Sequence, residues 1–400
     1  MDWQTSEDTV PSAPITEADA RLLRARPPAT GAWRDGDPVG GRRFAALGSF
    51  RTEGGRELPG IRLAYETWGE LDADGGNAVL VLHALTGDSH VAGDAGPGHP
   101  TDGWWEDIVG PGRALDTDRY FVVAPNMLGG CQGSTGASSI APDGREWASR
   151  FPYLTIRDQV AAQALLADRL GIGTWAAVVG GSMGGMHALE WAVGMPQRVA
   201  RLAVLAAPPS STADQVALNS VQLEAIRIDP RFAGGEYYDE ADGDGPHRGL
   251  ALARRMAMLN YRSTIELNQR FQRSWQSGVS PLGRGGRFAV ESYLDFHGNK
   301  FTRRFDANSY ITLVEAMNSH DIGRDRGGVE DALAQVTART FVLGIDSDRL
   351  FPVEGQQRIF RGIRSTIDDE LVVLASDFGH DGFLIETEVV GAHLRRLLAA

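Results

Sequence analysis

Cysteine is almost missing from this 400-residue chain. A single residue, Cys131, excludes an internal disulfide and fits a reducing compartment. No stretch approaches the roughly 18 uncharged apolar residues a membrane span requires, and Met1 to Arg26 has no apolar segment of the kind that directs secretion. The expected address is the cytoplasm. Clusters of Lys and Arg are missing as well, and a formal net charge of -13 repels polyanions, which disfavours nucleic acid and membrane surfaces as partners. A polyanionic co-substrate would need a local cationic mouth, for which Arg254, Arg255, Arg262, Arg270 and Arg273 are the candidates. There is no H-E-x-x-H pattern, no cysteine pair and no glycine loop ending in Lys-Ser or Lys-Thr, so no metal or nucleotide motif stands out. What is present, 42% hydrophobic and 23% charged residues, is the composition of an ordinary globular protein.

From Met1 to about Gly40 the chain is rich in Pro, Gly, Ala and charge without periodicity. It reads as a loosely ordered extension, residues 1–40, with nothing catalytic in it. Apolar runs then recur at Val79 to Leu82, Phe121 to Ala124, Ala176 to Val179, Leu202 to Leu205, Phe341 to Ile345 and Leu371 to Leu374. Continuous runs of that length are strands buried on both faces. Amphipathic stretches between them, such as Ile156 to Leu170 and His187 to Val193, predict helices covering a mostly parallel sheet, an α/β fold. The rhythm breaks from about Pro209 to Arg324, where helical segments such as Leu250 to Leu259 and Thr264 to Gln276 replace strands. Residues 210–324 are therefore expected to form an inserted helical lid on a core made of residues 41–209 and 325–400.

Gly180-Gly181-Ser182-Met183-Gly184 lies directly after one strand and directly before a helix. That is the setting of a nucleophile elbow: the turn is so sharp that its flanks must be small, and it lifts a serine hydroxyl above the sheet. A serine needs a base, and the base an orienting acid, in the chain order serine, acid, histidine. His380 follows the last strand by a short polar loop and precedes the C-terminal helical segment Phe383 to Leu398. For the acid, Asp348 sits further into its loop than Asp346, which suits a turn or cap. His83, His90, His187 and His320 lie outside the expected loop. The oxyanion hole draws on the backbone N–H groups of Leu85 and Met183, each worth roughly 3 kcal/mol in the transition state.

Five longer motifs occur in order: His83-Ala84-Leu85-Thr86-Gly87, Leu128 to Gly136, Gly181 to Gly185, Phe305 to Tyr310 and Gly379 to Phe383. In these the chain, from about Phe44 to its end, resembles the homoserine O-acetyltransferase family of the α/β-hydrolase superfamily. The resemblance implies a ping-pong reaction in which Ser182 takes an acetyl group from acetyl-CoA, a co-substrate rather than a tightly bound cofactor, and passes it to the hydroxyl of L-homoserine. It also implies methionine biosynthesis and a homodimer joined through the lid. Carried over by motif, Asp348 is the acid and His380 the base, while Arg254, Tyr261 and Asp381 hold the substrate. A zwitterionic amino acid needs one cationic and one anionic anchor, which Arg254 and Asp381 supply. Succinyl as the acyl group, L-serine as the acceptor, and an esterase that releases the acyl group to water are the alternatives on the same scaffold.

Overall fold

The computed structural model describes residues 23–283 and 285–400. The first 22 residues of the expected extension therefore lie outside the described residues. Among those described, the sheet strands are β1 Arg43–Arg51, β2 Glu57–Trp68, β3 Ala78–Leu82, β4 Phe121–Pro125, β5 Ala177–Gly181, β6 Arg201–Leu205, β7 Arg339–Ile345 and β8 Val372–Leu374. They form one eight-stranded sheet in the order β1-β2-β4-β3-β5-β6-β7-β8. From β4 to β8 every neighbouring pair is parallel. Strands β3 and β5, at its centre, are buried at every position, as continuous Val, Leu and Gly runs demand.

The antiparallel β1–β2 pair has no counterpart among the expected strands. β2 alternates buried and exposed residues because one face meets solvent, so it lacks the continuous apolar run that marks the central strands.

Helices alternate with the parallel strands: α1 Ile156–Arg169, α2 Met183–Gly194, α3 Ala213–Arg227, α4 His247–Tyr261, α5 Thr264–Phe271, α6 Ala289–Phe301, α7 Ala307–Asn318, α8 Val329–Ala334, α9 Val353–Gly362, α10 Gly382–Ile385 and α11 Thr387–Ala399. Capping boxes start two of them. The Thr155 hydroxyl accepts from Asp158 N at 3.1 Å while Asp158 accepts from Thr155 N at 2.9 Å, and Thr212 with Gln215 does the same for α3. Each box satisfies two otherwise orphaned amides at the helix start. α5 stops at Phe271 rather than at the expected Gln276, because Gln272 turns to φ 44° and ends the hydrogen-bond ladder. The C-terminal segment, expected as one helix, divides into α10 and α11 at Glu386.

Helices α3 to α8 occupy the interval between β6 and β7. Several apolar side chains on α3 to α5 or just after α3, among them Val221, Ile228, Leu252, Leu259 and Ile265, face outward and are exposed. No helix among the described residues is long and apolar enough to cross a membrane.

Residues 23–40 are almost devoid of regular structure, yet they are not loose, which corrects the expectation for this part of the extension. Ala29, Thr30 and Ala32 are buried. Trp33 N donates to Cys131 O at 2.9 Å, Gly243 N donates to Pro27 O at 2.8 Å, and the Thr30 hydroxyl donates to Asp306 Oδ1 at 2.8 Å. Asp306 is the anchor of this region. Fully buried, it also accepts from the Tyr237 hydroxyl at 2.7 Å, the Tyr238 hydroxyl at 2.9 Å and Ser309 N at 2.8 Å. One carboxylate thus caps α7 and ties the N-terminal strap to the inserted helices. Four donors are what a buried carboxylate needs to offset its lost hydration.

Candidate active site

β5 ends at Gly181 and α2 begins at Met183, leaving Ser182 alone in the turn at φ 59°, ψ -126°. That is a left-handed backbone for a residue with a side chain. Its amide is held by Leu205 O on β6 at 2.9 Å. The glycines around it are obligatory: a Cβ on Gly180 would lie 2.0 Å from Gly184 O, and one on Gly184 would lie 2.1 Å from Leu82 O. Strand, turn and helix are thus pressed together with no room for side chains, and the serine hydroxyl is pushed outward.

There it meets His380. Ser182 Oγ donates to His380 Nε2 at 2.8 Å, and His380 Nδ1 donates to Asp348 Oδ2 at 2.7 Å. The other Asp348 oxygen accepts from Leu350 N at 2.8 Å and Phe351 N at 2.9 Å, so the carboxylate cannot swing away. Asp346, the competing acid, is instead spent on the loop, accepting from Ser376 N at 3.1 Å. Ser347 joins the two loops: its hydroxyl donates to Ser376 O and accepts from Gly379 N at 3.1 Å. The imidazole is buried against Phe351, with ring centroids 5.1 Å apart, and Phe383, at 5.7 Å. Burial alone would lower its pKa, but the charge and hydrogen bond of Asp348 outweigh it and leave the ring above its ordinary value.

Met183 opens α2, so its N–H has no partner within the helix. Leu85 lies in the turn after β3, closed by Gly87 N donating to Ala84 O at 2.9 Å. Neither amide donates to another group among the described residues. His83 braces this turn. Its Nδ1 donates to Ala84 O at 2.7 Å and its Nε2 accepts from Met127 N at 3.1 Å, which requires the neutral ring that burial favours. With the Ala84 carbonyl held from two sides, the trans peptide aims the Leu85 N–H the opposite way.

From α4, Tyr261 brings its ring within 5.9 Å of the His380 ring, and the Arg254 guanidinium lies over Tyr261 at 5.4 Å from the centroid. Arg254 Nη1 also donates to the Thr86 hydroxyl at 3.3 Å. Asp381, next to His380, pairs with Arg262 at 3.3 Å. Burial raises its pKa, against the opposing pull of Arg262, His380 and Arg254. Tyr261 and Asp381 therefore lie beside His380, and Arg254 adjoins them through the Tyr261 ring. The expected cationic mouth is less free than its composition implied: Arg255 pairs with Asp295 at 3.0 Å, and Arg262 and Arg270 share Glu266. Sequence spacing gave no sign of Arg262 beside Asp381, of His83 under the turn or of Thr86 against Arg254, since each partner comes from a different element.

A small cavity lined by Leu85, Met186, Gln215, Tyr261, Leu350 and Phe351, among others, adjoins these residues, and no cationic side chain among the described residues lines it. Larger surface hollows, one lined by Asp229, His247 and Arg255 and another by Glu330 and Arg358, include none of the triad, the oxyanion residues or Arg254, Tyr261 and Asp381, although Arg255 of the expected cationic mouth lines the first. Glu66, His90 and His99 form a buried group with ligand-type atoms close together. Their geometry does not suit a metal, because the two imidazoles stack at 3.8 Å with planes 8° apart, which sets their lone pairs side by side rather than converging. His99 Nε2 is also taken by Gly41 N at 3.0 Å. Cys131 is buried among packed residues, and burial pushes its thiol up to about 12, so it holds no reactive thiolate.

An eight-stranded sheet of this order, with a hydrogen-bonded serine, histidine and aspartate at its loops, defines an enzyme of the α/β-hydrolase class. The family model for the alpha/beta hydrolase fold matches residues 77–387. A homoserine O-acetyltransferase from Leifsonia xyli subsp. xyli is 69% identical over 402 residues, covering 100% of both chains. Among solved structures, the homoserine O-acetyltransferase from Bacillus anthracis superposes with a TM-score of 0.82 at 28% identity, covering 90% of this chain and 97% of that one. Esterase E22 matches with a TM-score of 0.81 at 28% identity, covering 89% and 99%. The chain belongs to the homoserine O-acetyltransferase family.

Since only the neutral imidazole can accept the serine proton, acylation of Ser182 is expected to fall as pH drops, with a midpoint above the ~6.5 of a free imidazole. In Asp348→Asn the midpoint should move down and the rate should fall by about three to four orders of magnitude. Stopped-flow acylation across pH checks both; an unshifted midpoint in the variant would remove Asp348 from this role.

Proposed function

We propose that this protein transfers an acetyl group from acetyl-CoA to the hydroxyl of L-homoserine, by a ping-pong mechanism through an acyl-Ser182 intermediate. The observation that carries the reading is a hydrogen-bonded Ser182–His380–Asp348 chain with an anion, Asp381, next to the histidine and a cation, Arg254, stacked on the adjoining Tyr261 ring. The relatives' names, homoserine O-acetyltransferase, support the acetyl group and the acceptor.

In the first half-reaction His380 Nε2 takes the hydroxyl proton as Ser182 Oγ attacks the thioester carbonyl. Negative charge develops on the carbonyl oxygen, where the Leu85 and Met183 amides stabilise it. The carbon–sulfur bond breaks, and the proton on His380 passes to the leaving thiolate. Homoserine then enters with its carboxylate toward Arg254 and its ammonium toward Asp381. His380 removes the hydroxyl proton, the hydroxyl oxygen attacks the acyl carbonyl, and the proton returns to Ser182 as its ester bond breaks.

Hydrolysis is the rival reading, and esterase E22, as close in fold as the transferase structure, is the observation that favours it. The two differ only in what reaches the acyl-enzyme, water or the amino acid. The cytoplasm and a place in methionine biosynthesis follow from this reading. We also propose a homodimer formed through the exposed apolar side chains of α3 to α5.

Ser182→Ala is expected to fold and to lose transfer altogether; full activity in purified variant would end the mechanism. Arg254→Ala should raise KM for homoserine about 10- to 100-fold, the loss of one charge-assisted hydrogen bond, while acylation proceeds. Steady-state kinetics with each substrate varied separates these effects, and equal damage to both half-reactions would contradict the assignment of Arg254. In sedimentation velocity the protein should run as a dimer and Val221→Asp with Ile228→Asp as a monomer; a monomeric parent chain would overturn that interface.

A further inference from the structure

Two arginines meet at the turn after β3, and neither has a carboxylate of the chain within ion-pair distance among the described residues. Arg254 Nη1 donates to the Thr86 hydroxyl at 3.3 Å. Arg304, from the segment between α6 and α7, donates through Nη1 to the Thr86 carbonyl at 2.9 Å. Both guanidiniums lie over the Phe301 ring, at 5.1 and 5.5 Å from its centroid. The contrast with their neighbours is sharp: Arg255 has Asp295 at 3.0 Å, Arg262 has Asp381 at 3.3 Å and Arg270 has Glu266 at 3.3 Å.

Burial holds the Arg304 guanidinium below its ordinary pKa, and the charge of Arg254 pushes the same way, against Asp88 and Cys131. Two like charges held around one turn, one of them desolvated, are unfavourable unless an anion completes the group. A planar guanidinium fork matches a carboxylate, and two forks around one turn make a clamp. We propose that Arg304 is a second anchor for the α-carboxylate of the amino-acid acceptor, gripping it together with Arg254 beside Thr86. This rests on the reading of the acceptor as homoserine. The same side chain fixes the carbonyl of Thr86, so the grip on the acceptor adjoins the turn that carries Leu85.

The test compares L-homoserine with 3-aminopropan-1-ol, which keeps the hydroxyl and ammonium but has no carboxylate, in the parent enzyme, Arg304→Gln and Arg304→Lys. The glutamine variant should lose about 10- to 100-fold more in kcat/KM for homoserine than for aminopropanol, and lysine should recover part of that difference. Acylation is measured in parallel with acetyl-CoA and with p-nitrophenyl acetate, and any change, arising from the Thr86 turn, should be the same for both donors. Equal loss with the two acceptors would overturn the proposal, since it would mark a structural effect on the turn. Slower acylation by acetyl-CoA but not by p-nitrophenyl acetate would overturn it too, placing the donor's phosphates at Arg304. A parent enzyme that does not prefer homoserine to aminopropanol would instead sink the reading of the acceptor, whatever the variants do.

Discussion

Everything in the site depends on Ser182 being held at a backbone angle it would not choose. A left-handed residue with a side chain costs on the order of 1–3 kcal/mol, and it persists only where its surroundings leave no alternative. Here the constraint is steric and comes from both sides. Gly180 meets Gly184 O, Gly184 meets Leu82 O, Gly181 meets the Phe383 ring and Gly185 meets Ala207 Cβ, so each Cβ is excluded by an atom that is itself fixed in strand, helix or core. The sheet supplies the rest, because Ser182 N is tied to Leu205 O on β6. The strain is thus carried by the best packed part of the molecule, and in return the hydroxyl stands at a reproducible place in front of His380.

The second level of organisation is electrostatic. A buried imidazole prefers to be neutral, yet transfer of the serine proton needs it to become charged for an instant. Asp348 resolves this by holding the Nδ1 proton and stabilising the imidazolium, and two backbone amides keep Asp348 in place. Around this pair the charges are arranged in an order that matters for the proposed acceptor: Asp381 with Arg262 on one side, Arg254 with Arg304 and Thr86 on the other. Asp306 does comparable work for the frame by joining the strap at Thr30 to Tyr237, Tyr238 and α7.

Much of this was legible before any coordinates. The central strands announce themselves because burial on both faces demands unbroken apolar runs, and the elbow because glycine must flank a forced turn. Chain order then narrows the base to His380, and loop depth separates Asp348 from Asp346. The rest was hidden for stated reasons. β1 and β2 alternate and so resemble surface structure. The strap at Ala29 to Ala32 looks loose by composition, yet it is pinned by a residue 276 positions away. Helix α5 ends at Gln272 through a backbone angle that its side-chain pattern does not record. The partners of Arg304 and Arg262 come from other elements, so no local period could mark their contacts.

The account rests on Ser182 carrying the acyl group from one substrate to the other. Intact-protein mass spectrometry tests this directly: the enzyme is mixed with acetyl-CoA, then with buffer, L-homoserine or L-serine, and the series is repeated with succinyl-CoA. The account predicts an acetyl increment on Ser182 that persists in buffer and vanishes with homoserine, and little or no succinyl adduct. No adduct with either donor, or an acetyl adduct lost as fast to water as to homoserine, would contradict it and leave a hydrolase in its place.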